Sequence, residues 1–318
     1  MKVLIWHVHG SWTTSLVQGN HEFLLPVVSD RGPDGRGRAQ TWDWPPNAVE
    51  VPVAELGGAE FDVAVLQRPR EVELMAAWTG RRAGTDVPAV YVEHNAPHGP
   101  AASTQHPLAG QELIPIVHVT HFNRLMWDNG VAAAEVIEHG VIDPGYRYTG
   151  ERLVVAAVVN EPVRRWRVAG TDTLVDLSNQ VPVEVFGMGM APLVERAPRL
   201  AGVHENLRQD ALHEALGRCR AYFHPYRWTS LGLALIEAMM IGLPVLAWAA
   251  TAAPDAVPEG AGVLSTDPAE LAAGARRWLH DPEEARQVGL SAREHALTRF
   301  SLDRFLGDWD RLLKEVVR

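Results

Sequence analysis

The sequence predicts an α/β protein built from two doubly wound parallel-sheet, Rossmann-like domains, and three observations carry that prediction. Short β-branched runs alternate with helical stretches and end in polar or glycine-containing turns, the trace of βα units. The runs are apolar almost throughout rather than alternating, as befits strands covered on both faces. At roughly 150 residues per domain, 318 residues make about two domains.

In chain order the first domain's runs are Val3 to Val8, Val49 to Val53, Phe61 to Leu66, Ala89 to Val92, Ile114 to Val119 and Val136 to Ile142. Those of the second are Leu153 to Val159, Val183 to Phe186, Ala221 to His224, Pro244 to Trp248 and Gly262 to Leu264. The polar, turn-rich stretch from Asp143 to Gly150 separates the two sets, giving domains over 1–148 and 149–300. After Ser301, a residue able to cap a helix, Leu302, Phe305, Leu306, Trp309, Leu312, Leu313 and Val316 recur at three- and four-residue steps. Residues 301–318 should therefore form a helix docked by one apolar stripe. Its other face carries Asp303, Asp308, Asp310 and Glu315 rather than lysines, which fits a core-covering helix and not a membrane anchor. Residues 31–47 read as a long loop, either mobile or a lid.

Composition narrows the function. Acidic residues outnumber basic ones, 39 to 29, for a formal charge of −10, which gives no footprint for nucleic acid or an anionic membrane. The single cysteine, Cys219, can make neither an internal disulfide nor a structural zinc site, so a reducing compartment, the cytoplasm, is expected. The run from Met1 to Trp6 is too short for a signal peptide, and no apolar run is long enough to span a bilayer.

Ligands of open α/β sheets gather beyond the carboxyl ends of strands, and the richest such segment is 223–247. There Thr229 or Ser230 can cap a helix, Gly232 permits close approach, and the free amides of the first turn suit a phosphate. The helix that follows is apolar nearly all round and so should be buried, which makes Glu237 costly unless something accepts its charge or its hydrogen bonds. Either Glu237 pairs with an internal arginine or it grips ligand hydroxyls, and carboxylates in such clefts favour the second.

Leu231-Gly232-Leu233, Glu237-Ala238-Met239, Gly242 and Pro244-Val245 resemble the C-terminal signature of retaining GT-B glycosyltransferases of family 4, the group 1 glycosyltransferases. Val136-Ile137-Glu138-His139-Gly140-Val141-Ile142 resembles the strand closing that family's first domain. Gly19-Asn20-His21-Glu22 resembles its N-terminal Gly-Gly-x-Glu loop, and Phe186-Gly187-Met188-Gly189 its Val-Gly-x-Gly strand end. The resemblance implies a GT-B fold with two domains facing a cleft. The acceptor would sit mainly on the first domain, onto which the terminal helix packs back, and a nucleoside-diphosphate sugar mainly on the second. By the same resemblance Glu237 matches the second glutamate of the motif, which bonds the ribose, and Ser230, Leu231, Gly232 and Leu233 match the helix start that holds the diphosphate. Two departures stand out. The first glutamate of the motif, which contacts the donor sugar, is replaced by Thr229. The segment 160–172, where the family has an arginine and a lysine clamping the phosphates, has no lysine but holds Arg164, Arg165 and Arg167. These can pair with a diphosphate or form a solvated basic turn.

In the first domain His94 ends a buried strand, and Pro97 delays any helix. It either faces the reacting sugar, as the family's histidine does, or bonds a nearby backbone carbonyl. Gly10, with Gly19 and Asn20, is placed against the phosphates from the opposite wall, and Thr120-His121-Phe122-Asn123 occupies a similar strand end. His7 and His9 share a strand face but lack a third metal ligand. Asp308-Trp309-Asp310 lies in a helix rather than at a strand end, and Gly187-Met188-Gly189 is not a full dinucleotide fingerprint. The implied function is a metal-independent retaining glycosyltransferase that needs no cofactor, has a small-molecule or glycan acceptor, and uses His94, Arg165 and Glu237. The alternative is a non-catalytic sugar-nucleotide-binding subunit of the same fold. Pyridoxal-dependent phosphorolysis has no candidate lysine, since Lys2 and Lys314 lie at the ends. The base-reading residues fall around His204-Glu205-Asn206 and Tyr226-Arg227-Trp228.

Overall fold

The β-branched runs become the strands of two wholly parallel sheets in the computed structural model, which describes residues 1–318. The chain divides into two units, Met1–Val141 with Leu302–Arg318, and Ile142–Ser301.

The first unit holds β1 (Lys2–Ile5), β2 (Glu22–Val27), β3 (Ala48–Pro52), β4 (Val63–Leu66), β5 (Ala89–Glu93), β6 (Ile116–His118) and β7 (Ala134–Val136), ordered β3-β2-β1-β4-β5-β6-β7. Helices α1 (Gly10–Leu16), α2 (Pro69–Thr79) and α3 (His121–Met126) join them. Leu4, Trp6, Leu66, Met75, Tyr91 and Ile116 pack one face into a core. The second unit holds β8 (Arg152–Val158), β9 (Val183–Gly187), β10 (Gly202–Glu205), β11 (Cys219–His224), β12 (Val245–Trp248) and β13 (Gly262–Ser265), ordered β10-β9-β8-β11-β12-β13. Its helices are α4 (Thr171–Ser178), α5 (Ala191–Arg196), α6 (Gln209–Arg218), α7 (Leu233–Ile241), α8 (Ala253–Ala256), α9 (Pro268–His280) and α10 (Pro282–Arg299). Val155, Val183, Phe223, Leu246 and Trp278 centre its core. Strand order reverses between β1 and β4 and again between β8 and β11, which are the crevices where such sheets bind ligands.

Two strands have no counterpart in the sequence reading. In β2, Pro26 breaks the apolar run, but it lies beyond the last β1 partner, Leu24, so its missing N–H interrupts no bond to β1. β10 is a half-exposed edge strand whose Gly202-Val203-His204-Glu205 has no apolar run to read. The run Val136 to Ile142 is also corrected, because β7 ends at Val136 and residues 137–142 lie outside any strand.

Residues 31–47 are tied down rather than loose. The Arg38 guanidinium donates to the carbonyls of Trp44, Pro45 and Ala48, and the buried Trp44 donates its Nε1–H to Thr14 Oγ1 at 2.8 Å. The Asp143 to Gly150 stretch packs on the second unit: Arg147 N–H donates to Ile241 O at 3.0 Å and Tyr148 Oη–H to Arg220 O at 3.0 Å. The chain therefore passes between units at Val141–Ile142. The last helix, α11 (Leu302–Val317), belongs to the first unit, with Phe305, Trp309, Leu312 and Leu313 buried and Trp12 edge-on to both aromatic rings. No helix is long and apolar enough to cross a membrane.

Candidate functional site

The crevice between β8 and β11 in the second unit is built from the loops that leave those strands. The β11 loop carries Tyr226 to Leu231 and delivers the chain to α7, whose N-cap is Gly232 with φ −74° and ψ 125°. No side chain caps this helix, so neither Thr229 nor Ser230 has the capping role their chemistry suggested. Ser230 is buried, and its carbonyl accepts from Ala252 N at 3.4 Å, which ties the loop to the one after β12; Thr229 stands half-buried beside it and Leu231 is buried. Leu233 and Ala234, in the first turn, have N–H groups with no intrahelical acceptor, as helix geometry requires. A Cβ at Gly232 would lie 2.6 Å from His224 Cε1, so glycine lets the helix start directly over that ring. Burial pushes His224 down to about 3, which keeps the ring neutral under the amides.

Glu237 lies one turn into α7 and is 6% exposed. Its partners are not an arginine but two residues of α6. Gln209 donates Nε2–H to Glu237 Oε2 at 3.0 Å, and His213 Nε2 stands 3.3 Å from the same oxygen. Both contacts fall on Oε2. Oε1 takes no hydrogen bond from the protein, so this largely buried carboxylate keeps one accessible acceptor for a ligand hydroxyl.

The three arginines after β8 separate clearly. Arg164 is held by Glu161, with Nε 2.8 Å from Oε2, and this pairing lowers the Glu161 carboxyl below its ordinary range. Arg167 is held by Asp172 at 2.6 Å, and Arg227 takes the other oxygen of Asp172. Burial works to raise the Asp172 pKa, but Arg227 and then Arg167 keep it lowered. Arg165 makes no ion pair; its guanidinium lies 5.5 Å over the Tyr226 ring. Backbone bonds stitch the two loops together, with Arg227 N–H donating to Val168 O at 3.0 Å. At Gly170, with φ +69°, an added Cβ would lie 1.7 Å from Pro225 O, so no other residue lets the loops approach this closely.

The turn after β9 has a different character. Gly187, with φ +147°, is required because a Cβ would meet Val159 O at 2.1 Å. The next free amides, Gly189 N–H and Met190 N–H, donate to the two carboxylate oxygens of Glu205 at 2.9 and 2.8 Å. The chain's own carboxylate fills this anion-sized nest, so the Gly189 and Met190 amides are already taken, while Gly187 is required by packing and Gly189 by its φ of +73°. Glu161, Asn206 and Thr251, non-glycine residues with φ of +52°, +47° and +53°, all follow strands at this edge. Such strain collects at functional edges, and nothing in the sequence signals it.

In the first unit His94 follows β5 and is buried. Gln67 donates Nε2–H to Trp6 O at 2.6 Å, which leaves its Oε1 to accept from His94 Nε2 at 3.0 Å and fixes that tautomer. The Gln67 carboxamide thus orients the His94 ring through Nε2. The His9 ring lies 4.0 Å from His94. Burial, then His9 and His139, lower its pKa well below the ordinary value, so the ring is neutral. Glu93 braces the loop, accepting from Asn95 N at 2.7 Å and from the buried His106 Nε2 at 3.2 Å. Gly10 opens α1, where the Trp42 ring would lie 2.5 Å from any Cβ. Thr120 caps α3 by accepting from Asn123 N at 3.1 Å. His7 is used structurally, with Nδ1 3.1 Å from Gly37 O, and no three His, Cys, Asp or Glu side chains form a metal-holding group.

Gly19 and Asn20 require a correction. They join the end of α1 to the start of β2, and Glu22 pairs with Lys2, so they lie at the amino edge of the sheet, opposite the ligand-binding edge. There they line a cavity of about 290 Å³ against Leu306 and Trp309 of α11. The unread strand β2 is the reason: without it, this turn looks like the loop after the first strand.

Residues 201–295 match the family described as Glycosyl transferases group 1. No curated protein sequence matches the chain. Among solved structures, the sucrose-phosphate synthase of Thermosynechococcus elongatus superposes with a TM-score of 0.73 at 15% identity, covering 99% of both chains. Anabaena HepE, in complex with UDP-glucose, gives 0.72 at 17% identity over 99% of this chain and all of its own. The TarM of S. aureus, in a complex containing UDP, gives 0.63 at 15% identity over 79% of this chain and 55% of its own. The match to the group 1 glycosyl transferase family thus lies within the second unit, over residues 201–295, and the chain shares its fold from end to end with the sucrose-phosphate synthase and HepE structures.

Proposed function

We propose that the protein transfers a sugar from a nucleoside-diphosphate donor, UDP-linked in the first instance, to a hydroxyl or similar acceptor with retention of configuration and without a metal. One observation carries the reading: at the β8/β11 crevice Arg165 is the one of the three loop arginines without a carboxylate partner, and Glu237 keeps one oxygen unpartnered in a buried site. The diphosphate would lie between the first-turn amides of α7 and Arg165, and the ribose hydroxyls would reach Glu237 Oε1. Charge develops on the departing diphosphate, so fixed donors aimed there stabilise the transition state more than the ground state. In the first unit, His94, neutral and bonded to Gln67, is the residue an acceptor would approach. With Thr229 at the position of the first motif glutamate, the donor sugar would be held by a hydroxyl and not a carboxylate. No side chain is assigned as a covalent nucleophile, so the acceptor attacks from the face the diphosphate leaves. HepE and TarM complexes with UDP support the choice of base, and the single cysteine, Cys219, which can form no internal disulfide, fits a reducing compartment such as the cytoplasm.

The test is incubation with UDP-glucose in excess chelator, following UDP release and reading the product anomer by proton NMR. Turnover with the α-anomer is expected. Tight UDP binding with no turnover on any sugar donor or acceptor would favour a sugar-nucleotide-binding subunit instead.

A further inference from the structure

The Gln209 carboxamide lies at the start of α6, which packs along α7, and touches Glu237 Oε2 at 3.0 Å and His213 Nε2 at 2.8 Å. His213 and Glu237 stand 3.3 Å apart, so the three polar atoms form a closed triangle. Proton positions follow from the chemistry of each group. A carboxamide nitrogen carries two hydrogens and accepts none, so at 2.8 Å His213 Nε2 must be the acceptor and its ring proton sits on Nδ1. Turning the carboxamide over would set its oxygen against an ionised carboxylate oxygen at 3.0 Å, which fixes its orientation. The longest side of the triangle is then the one without a proton. Gln209 thus spends both its hydrogens holding two buried acceptors, and Glu237 is locked by Oε2 alone.

We propose that Gln209 is a positioning residue for nucleotide recognition: by clamping Glu237 Oε2 against His213 it presents Oε1 to the ribose before the ligand arrives. This rests on the role given to Glu237 above. Pre-ordering matters because a long side chain fixed in advance need not lose its rotamer freedom on binding. Gln209 need not touch the ligand, so its whole effect runs through Glu237.

Calorimetric titration with UDP on the full chain tests this, using the wild type, Gln209→Ala, Glu237→Ala and the double variant. Gln209→Ala should weaken UDP binding roughly three- to thirtyfold, and the double variant should bind no more weakly than Glu237→Ala. The shape-preserving Gln209→Glu, which replaces the donor hydrogens with a charge facing Glu237, should bind more weakly than Gln209→Ala, whereas a packing role would tolerate it. In turnover the donor KM should rise while kcat stays within about twofold, the pattern of a lost ground-state contact. Wild-type affinity in Gln209→Ala, or losses that add in the double variant, would overturn the clamp while leaving Glu237 in place. Wild-type affinity in Glu237→Ala would instead overturn the reading of Glu237 and the clamp with it.

Discussion

Glu237→Ala should weaken nucleotide and donor binding by about ten- to a hundredfold, the usual cost of losing hydrogen bonds to a charged group in a buried site. The loss should appear in the donor KM and in UDP affinity more than in kcat, because a ribose contact is made equally in the ground and transition states. Glu237→Gln keeps the shape and one oxygen, so it should fall between the wild type and alanine. The fold should survive either change. Removing a buried carboxylate relieves its desolvation while Gln209 and His213 can still bond each other. Equal kcat/KM in wild type and alanine variant would remove Glu237 from the site.

Arg165→Met should lower kcat by about a hundred- to a thousandfold, the scale seen when one donor to a developing anion is removed. Arg164→Met and Arg167→Met serve as internal controls and should stay within about threefold, since surface pairs contribute little. Arg164 is already committed to Glu161, and Asp172 keeps Arg227 when Arg167 is lost. A loss in Arg164 or Arg167 larger than in Arg165 would assign the diphosphate to a different arginine. Steady-state rates of UDP release for the three variants decide it.

The architecture was legible wherever burial on both faces leaves a continuous apolar run, as in Phe61 to Leu66 or Ala89 to Val92. It was not legible at β2, where Pro26 interrupts the run at a harmless place, or at β10, an edge strand with little to bury. The first omission propagated: an unseen strand turned Gly19 and Asn20 into candidates for the wrong edge of the sheet. In the site itself, the all-apolar α7 made Glu237 conspicuous, because a lone carboxylate in such a helix needs a partner. Which partner it has was not legible, since Gln209 and His213 meet it only through the packing of α6 on α7. The three arginines were likewise equivalent in sequence, and only the placement of Glu161 and Asp172 distinguishes them. Glu205 shows the converse, a residue whose carboxylate occupies the amides of a glycine turn that otherwise looks open to an anion.

Whether the amino end of α7 and Glu237 together hold a nucleoside diphosphate is read out by a thermal-melting screen against UDP, GDP, ADP and TDP. At about a hundred times its dissociation constant, a ligand that binds only the folded chain adds roughly 2.7 kcal/mol, which moves the midpoint by several degrees. Such a rise is expected with UDP in the wild type and should be lost in Glu237→Ala. An unchanged midpoint with all four nucleotides, or a UDP rise that Glu237→Ala leaves intact, would contradict this reading of the site.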